Sequence, residues 1–327
     1  MSYSRQALVL VSRWSRLMFA LIWCAQMQVP ARAATNGVIN YSVRIWQTDD
    51  GLPQNSVHAI AQTSDGYLWV GTREGLARFD GIRFTALDET AAPELKRGWI
   101  TALCAGSDGS LWIACDGKGV LRLQNGTFAR FTETNGLPSN QTRCLLEARD
   151  GSVWIGSEGG LAQYQDGKFK TFTEKNGLLD VSIRGICEDR HGVIRVATRR
   201  GLSGLDRDGK ISTISFGSAS VANALRSVCE DKRGDIWVSS NEGVTRVGGQ
   251  GRVFYAVKEG MPDKIATVLY EDRAGRIWAG TYNGLACLLE GSVVSKPMNE
   301  AGFGDLVYAI FEDREANLWV GGARWFV

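Results

Sequence analysis

One phrase recurs through this chain at a nearly constant interval, and that interval constrains the fold more than any other feature. The phrase reads Asp65-Gly66-Tyr67-Leu68-Trp69-Val70-Gly71-Thr72 and returns around Trp112, Trp154, Arg195, Trp237, Trp278 and Trp319. Successive anchors lie 43, 42, 41, 42, 41 and 41 residues apart. Self-similarity at about 40–50 residues points to a propeller or a solenoid, because each repeat is one supersecondary unit that buries its faces only against its neighbours.

The second copy shows what the unit is. Thr101–Cys104 is a short apolar run, Asp108-Gly109 is a hairpin turn signal, and Leu111-Trp112-Ile113 is the next strand. Val120–Leu123 and Phe128–Phe131 follow, separated by Asn125-Gly126. Four short strands closed by Gly, Asn and Asp, with no sustained helical period, make one blade. The sequence therefore predicts an all-β, seven-bladed β-propeller with four-stranded blades. A parallel solenoid is the alternative, but its repeats are shorter and poorer in hairpin turns. The seventh copy offers Arg324–Val327 as a third strand and no fourth, while Tyr41–Trp46 precedes the first copy as an orphan strand. The expectation is that the N-terminal strand completes the last blade and so removes a sheet edge.

The first 33 residues differ in kind. Arg5, Arg13 and Arg16 precede the apolar run Leu17–Ala25, and Ala31-Arg32-Ala33 offers a cleavage signal. That order predicts a secretory signal peptide over 1–33, a propeller over 41–327, and a periplasmic or secreted mature chain. The apolar run is short for a membrane span, and no second one follows, so no span is expected in the mature chain. A net charge of +2 gives no electrostatic argument for nucleic acid as a partner. With two His and no Cys-x-x-Cys pair, the sequence predicts neither a metal site nor a cofactor. The cysteines read as small core hydrophobes.

The stretches Asp50–Val57, Gln62–Thr72 and Gly75–Gly81 resemble the two-component regulator propeller repeat. The resemblance extends over 41–327. It implies a ligand-sensing propeller like those of periplasmic sensor regions in bacterial hybrid histidine kinases and some diguanylate cyclases. The ligand implied is a small molecule or an oligosaccharide, and the partner a membrane sensor kinase or cyclase. No kinase, cyclase or other output module is recognisable in the sequence, and the family carries no fixed catalytic motif.

Two sets of residues are candidates for the site. Eight residues before the turn Gly, the copies read His58, Thr101, Arg143, Arg184, Arg226, Thr267 and Tyr308, and two residues on they are always aliphatic. Three consecutive arginines near the channel axis suit a carboxylate or phosphate; alternatively, each pairs with an acid of its own or the next blade as structural glue. Loops expected on the same face supply Arg73, Glu158 and Tyr282. The candidate ligand-binding set is thus Arg143, Arg184, Arg226, His58, Arg73, Glu158 and Tyr282, with no catalytic residue assigned. The rival function is a propeller lyase or hydrolase acting on a glycan or small molecule at this face, for which His58 is the best-placed group. A third is a scaffold for protein contacts. Arg195, standing where six copies have Trp, needs a partner if buried, and Glu188 and Asp189 are nearby in sequence.

Overall fold

The computed structural model describes residues 42–87, 93–95, 98–214, 224–249, 251–289, 292–296, 306–324 and 326–327. The leader expected over 1–33 lies outside the described residues, as does most of the orphan strand's approach. Residues Val43–Val327 form one compact unit.

Six blades of four antiparallel strands, each in simple sequential order, span 57–86, 100–131, 142–172, 183–214, 227–255 and 266–296. The seventh repeat forms a sheet of only two strands, Val307–Glu312 and Leu318–Gly322. This corrects the expected seven four-stranded blades: among the described residues the structure has six. Among the described residues the N-terminal segment reaches the last blade as an isolated bridge and not as a strand. Trp46 meets Phe326 in one isolated bridge, Phe326 meets Gly321 in another, and Val43 and Ile45 stay exposed. Single bridges do not make a ladder, so aromatic packing takes over at this junction. Trp46 and Phe326 are buried with Trp319, Phe84, Val57 and Val70 in one cluster shared with the first blade.

Trp at the second strand earns its repetition by burial. Trp69, Trp112, Trp154, Trp237, Trp278 and Trp319 are 3–7% exposed. The indole N–H must then find an acceptor. Trp237, Trp278 and Trp319 donate to Asp231, Asp272 and Asp313 at 2.6–2.8 Å, the acid at the start of the preceding turn. Arg195 uses the same acceptor in its own blade: its Nε and Nη2 donate to Asp189 Oδ2 at 2.9 and 2.7 Å. Small residues two positions after the Trp let the next blade approach. A Cβ on Gly71 would lie 2.4 Å from Ile100 of the second blade, and one on Gly321 would lie 2.7 Å from the Val57 carbonyl of the first.

A latch joins blade to blade at the far end of the inner strands. The turn N–H groups of Ser107, Arg149, Arg190, Lys232 and Arg273 donate to Glu147, Glu188, Glu230, Glu271 and Glu312 of the next repeat at 2.6–2.9 Å. Arg314 closes the circle, donating its N–H to Gln62 Oε1 at 2.9 Å and its guanidinium to the Ser64 carbonyl at 3.0 Å. Ala105 occupies the acceptor position at the first junction.

The six described cysteines are unpaired, and Cys115 and Cys287 are buried. Burial pushes the thiols of Cys104 and Cys287 up to about 11, so they are poor nucleophiles and pack as apolar groups.

Candidate functional site

A cavity of about 270 Å³ opens at the mouth of the central channel. Its wall contains every member of the inner-strand series: His58, Thr101, Arg143, Arg184, Arg226, Thr267 and Tyr308, with Trp99, Tyr282 and Leu306. The backbone explains the convergence. In six of the seven inner strands the pairing with the second strand skips this residue, as where Val57 faces Thr72 and Ala59 faces Gly71. A bulge leaves its residue without a cross-strand partner and re-aims the side chain. Arg226 lies one residue before its strand and is tied by its N–H to the Ser239 carbonyl.

The cavity has a cationic half and an aromatic half. On the cationic side, Arg143 Nε donates to Glu158 Oε1 at 3.1 Å and its Nη1 lies 3.6 Å from Asp116. Arg184 Nη2 lies 3.2 Å from the same Glu158 oxygen, and its Nε donates to Ser182 Oγ, whose hydroxyl donates to Glu158 Oε2 at 2.7 Å. Burial alone would raise the Glu158 pKa, but the Ser182 hydroxyl and the two guanidinium groups hold it below the usual carboxylate range. The shared carboxylate makes Glu158 a clamp between the third and fourth blades. Arg226 is different: Nε donates to the Asn241 amide oxygen at 2.8 Å and Nη2 to the Tyr282 hydroxyl at 3.5 Å, both neutral.

On the aromatic side, His58 stacks on Tyr308 with centroids 3.9 Å apart and meets Trp99 edge-on at 5.4 Å. Arg73 lies over the Trp99 ring at 4.8 Å. Burial, then the charge of Arg73, pull the His58 pKa down to about 4, so the imidazole is neutral near pH 7. Its Nε2 is 2.9 Å from Ser56 Oγ. The Thr101 and Thr267 hydroxyls donate to the Thr142 and Val307 carbonyls of the next repeats, at 2.9 and 2.6 Å.

Arg143, Arg184, Arg226, His58 and Tyr282 therefore line one cavity, while Arg73 and Glu158 are not in its lining but contact the wall residues Trp99 and Arg143. Two of the three arginines have a carboxylate partner, as the structural-glue alternative expects, and Arg226 has none among the described residues. Sequence reasoning missed Trp99 and Leu306. Trp99 had a signal: it is the one aromatic two residues before the bulge, where other copies have Ser56, Gln141, Ser182, Ala224, Ile265 and Leu306. Among the described residues, no three His, Cys, Asp or Glu side chains are placed to hold a metal ion.

Comparison with known proteins places these features in context. A family model described as "Two component regulator propeller" matches residues 51–74, 136–159 and 260–283. A 45-residue stretch, 14% of this chain and 3% of the relative, is 49% identical to histidine kinase P4 of Formosa agariphila. Among solved structures, the extracellular domain of a hybrid two component system from B. thetaiotaomicron superposes with a TM-score of 0.74 at 19% identity, over 88% of this chain and 42% of that one. Virginiamycin B lyase from Staphylococcus aureus superposes with a TM-score of 0.68 at 12% identity, over 83% of this chain and 94% of that one. At such identities the superpositions show the fold. This chain spans under half of the sensor ectodomain it matches and a small fraction of the kinase.

Proposed function

We propose that this chain, which carries the repeats of the two-component regulator propeller family, is an exported sensor propeller that binds a small molecule or the end of an oligosaccharide at its channel mouth. One observation carries the reading. Every bulge-position side chain of the ring meets in a single cavity, and three cations but no carboxylate line it. Structural pairing accounts for Arg143 and Arg184, but it leaves the Arg226 guanidinium at the cavity with only neutral partners. In this reading ligand occupancy is passed to a membrane sensor kinase or cyclase. Among the described residues no helix is long and apolar enough to cross a membrane.

The catalytic alternative has weaker support. Lyases occur on this fold, but the one imidazole in the cavity wall is neutral, stacked on Tyr308 and bonded to Ser56. No carboxylate lines the cavity to work with it, and its titrating neighbours in the wall are Tyr308 and Tyr282.

A thermal-shift screen of the protein against neutral and acidic mono- and oligosaccharides and small organic acids tests the reading. A ligand at a hundred times its Kd adds about 2.7 kcal/mol to the native state and raises Tm. The shift should vanish in Tyr308→Ala. A screen with no shift, or shifts indifferent to Tyr308, sinks the channel-mouth site.

A further inference from the structure

We propose that the cavity takes a small ring-bearing carboxylic acid, its carboxylate on Arg226 and the free edge of Arg184, its ring against the wall of His58, Tyr308 and Trp99. The inference rests on the channel-mouth reading above and narrows it to one chemical class.

The charge count comes first. Arg143, Arg184 and Arg226 face two carboxylates, Glu158 and Asp116, and both of these reach Arg143. Arg184 shares Glu158 and has Nη1 to spare; Arg226 has only the Asn241 oxygen and the Tyr282 hydroxyl. Among the described residues these three guanidinium groups are therefore at least one negative charge short, and the deficit sits on the Arg226 side. Arg184 reports the same imbalance. Burial and the charges of Arg143, Arg199 and Arg226 lower its pKa although Glu158 pulls the other way. A carboxylate offsets part of this excess positive charge and suits the planar fork of a guanidinium.

The hydrogen-bond inventory agrees. The two threonine hydroxyls of the wall already donate across blade junctions. The charged donors left over in the wall belong to Arg226 and Arg184. Charged donors outnumber charged acceptors in this wall, which favours an anionic, acceptor-rich ligand.

Size and wall chemistry supply the ring. At about 270 Å³ the cavity falls just below the 300–1,000 Å³ typical of drug-sized ligands, which leaves room for about one ring. The fourth and fifth repeats carry Arg184 and Arg226; the seventh and first, across the ring, carry Tyr308 and His58. A ligand reaching both ends must be charged at one end and flat or apolar at the other. Neutral His58 puts no competing charge on that second wall.

Calorimetric titration of the protein with D-glucuronate, benzoate, D-glucose and inorganic phosphate tests the inference. At least one acid should bind, at least tenfold tighter than glucose, and should weaken as salt is raised. Preference for glucuronate identifies a sugar acid and preference for benzoate an aromatic acid; either result supports the class. Arg226→Gln should weaken the acid at least tenfold, and Lys168→Gln, which removes an exposed cation on the outer strand Lys168–Phe172 away from the cavity, less than threefold. Arg226→Lys, which keeps the charge and loses the fork, should fall between the parent and Arg226→Gln and guards against a misfolded Gln variant, with circular dichroism checking each. The inference is overturned if glucose binds as tightly as the better of the two acids, if phosphate binds tighter than both acids, if the two Gln variants cost the same, or if no acid binds. Glucose binding that is lost in Tyr308→Ala would overturn the acid class and leave the ligand pocket standing.

Discussion

Replacing Arg195 tests the most unusual substitution in the repeat. Asp189 is buried, with 2% of its side chain exposed, and accepts four donors. Two are the backbone N–H groups of His191 and Val193 at 2.9 Å, and two come from Arg195 at 2.9 and 2.7 Å. Arg195→Ala removes half of these and leaves the carboxylate in place. Breaking a buried ion pair by deleting one partner costs about 3–5 kcal/mol. Arg195 is itself 18% exposed, which admits some water, so the lower end, about 3 kcal/mol, is expected. Arg195→Trp should behave quite differently. In the fifth, sixth and seventh repeats an indole N–H reaches the equivalent Asp at 2.6–2.8 Å. Gly204, directly across the ladder, leaves space where Trp237 faces the much larger Arg246. The Trp variant should therefore lie within about 1 kcal/mol of the parent, since one donor and buried aromatic area replace two donors.

Urea midpoints at pH 7 would decide this, and acid pH adds a second check. Burial raises the Asp189 pKa, but the Val193 N–H and the Arg195 charge outweigh it, so the net shift is downward from 3.8. A depressed carboxylate contributes stability above its unfolded pKa and loses it as pH falls through the folded value. The gap between parent and Arg195→Ala should accordingly narrow below about pH 4. A loss under about 1 kcal/mol for Arg195→Ala, or a Trp variant as unstable as the Ala variant, would refute the argument that Asp189 sets the requirement for a donor here.

Other expectations follow from the same geometry. Trp154→Ala should cost about 3–5 kcal/mol in urea midpoint measurements, because the ring is 5% exposed, stacked on Phe172 and bonded to Ser152; a change under about 1 kcal/mol would deny it an anchoring role. Ala105→Glu should supply the acceptor missing from the first blade junction and stabilise by about 0.5–1.5 kcal/mol, the net worth of one hydrogen bond; no gain in Tm would mean that the junction is already saturated. His58 has a pKa near 4 against 6.5 unfolded, so the unfolded chain takes up the proton first and stability falls as pH drops from about 6.5 towards 4. Between pH 7 and 5 this amounts to about 2 kcal/mol, at 1.36 kcal/mol per unit. Denaturation at both pH values should show that loss reduced in His58→Asn; an unchanged slope would place the acid sensitivity elsewhere.

The strand phrase and its period made the blade legible, because turn Gly, aliphatic alternation and a buried Trp are local requirements of one hairpin. The count of four-stranded blades failed for a reason that local pattern does not contain. Whether Trp46 and Phe326 extend into ladders depends on competition between strand pairing and aromatic packing, and the ring of Trp46, Phe79, Phe84 and Trp319 decides it. The site was partly legible because one register position recurs in every repeat. Its chemistry was not. That Glu158 would take two arginines and Asn241 the third depends on loop conformations after the second strands, which no periodicity encodes. Nor does the sequence show that Glu147, Glu188, Glu230, Glu271 and Glu312 reach across to the preceding repeat.

The bulge links these observations to function. At most positions of an inner strand a side chain answers to a partner on the second strand, and the residue two beyond the bulge is aliphatic in all seven repeats: Ile60, Leu103, Leu145, Ile186, Val228, Leu269 and Ile310. The skipped residue answers to none, and there the same sequence varies through His, Thr, Arg and Tyr. Substitution at that one position alters the cavity wall without disturbing the ladder, the Trp anchors or the latches. A ring built this way separates the requirements of folding from those of recognition. The same logic gives Arg226→Gln its force as a test: it changes the charge at the channel mouth while leaving the Val228–Val238 pairing behind it untouched.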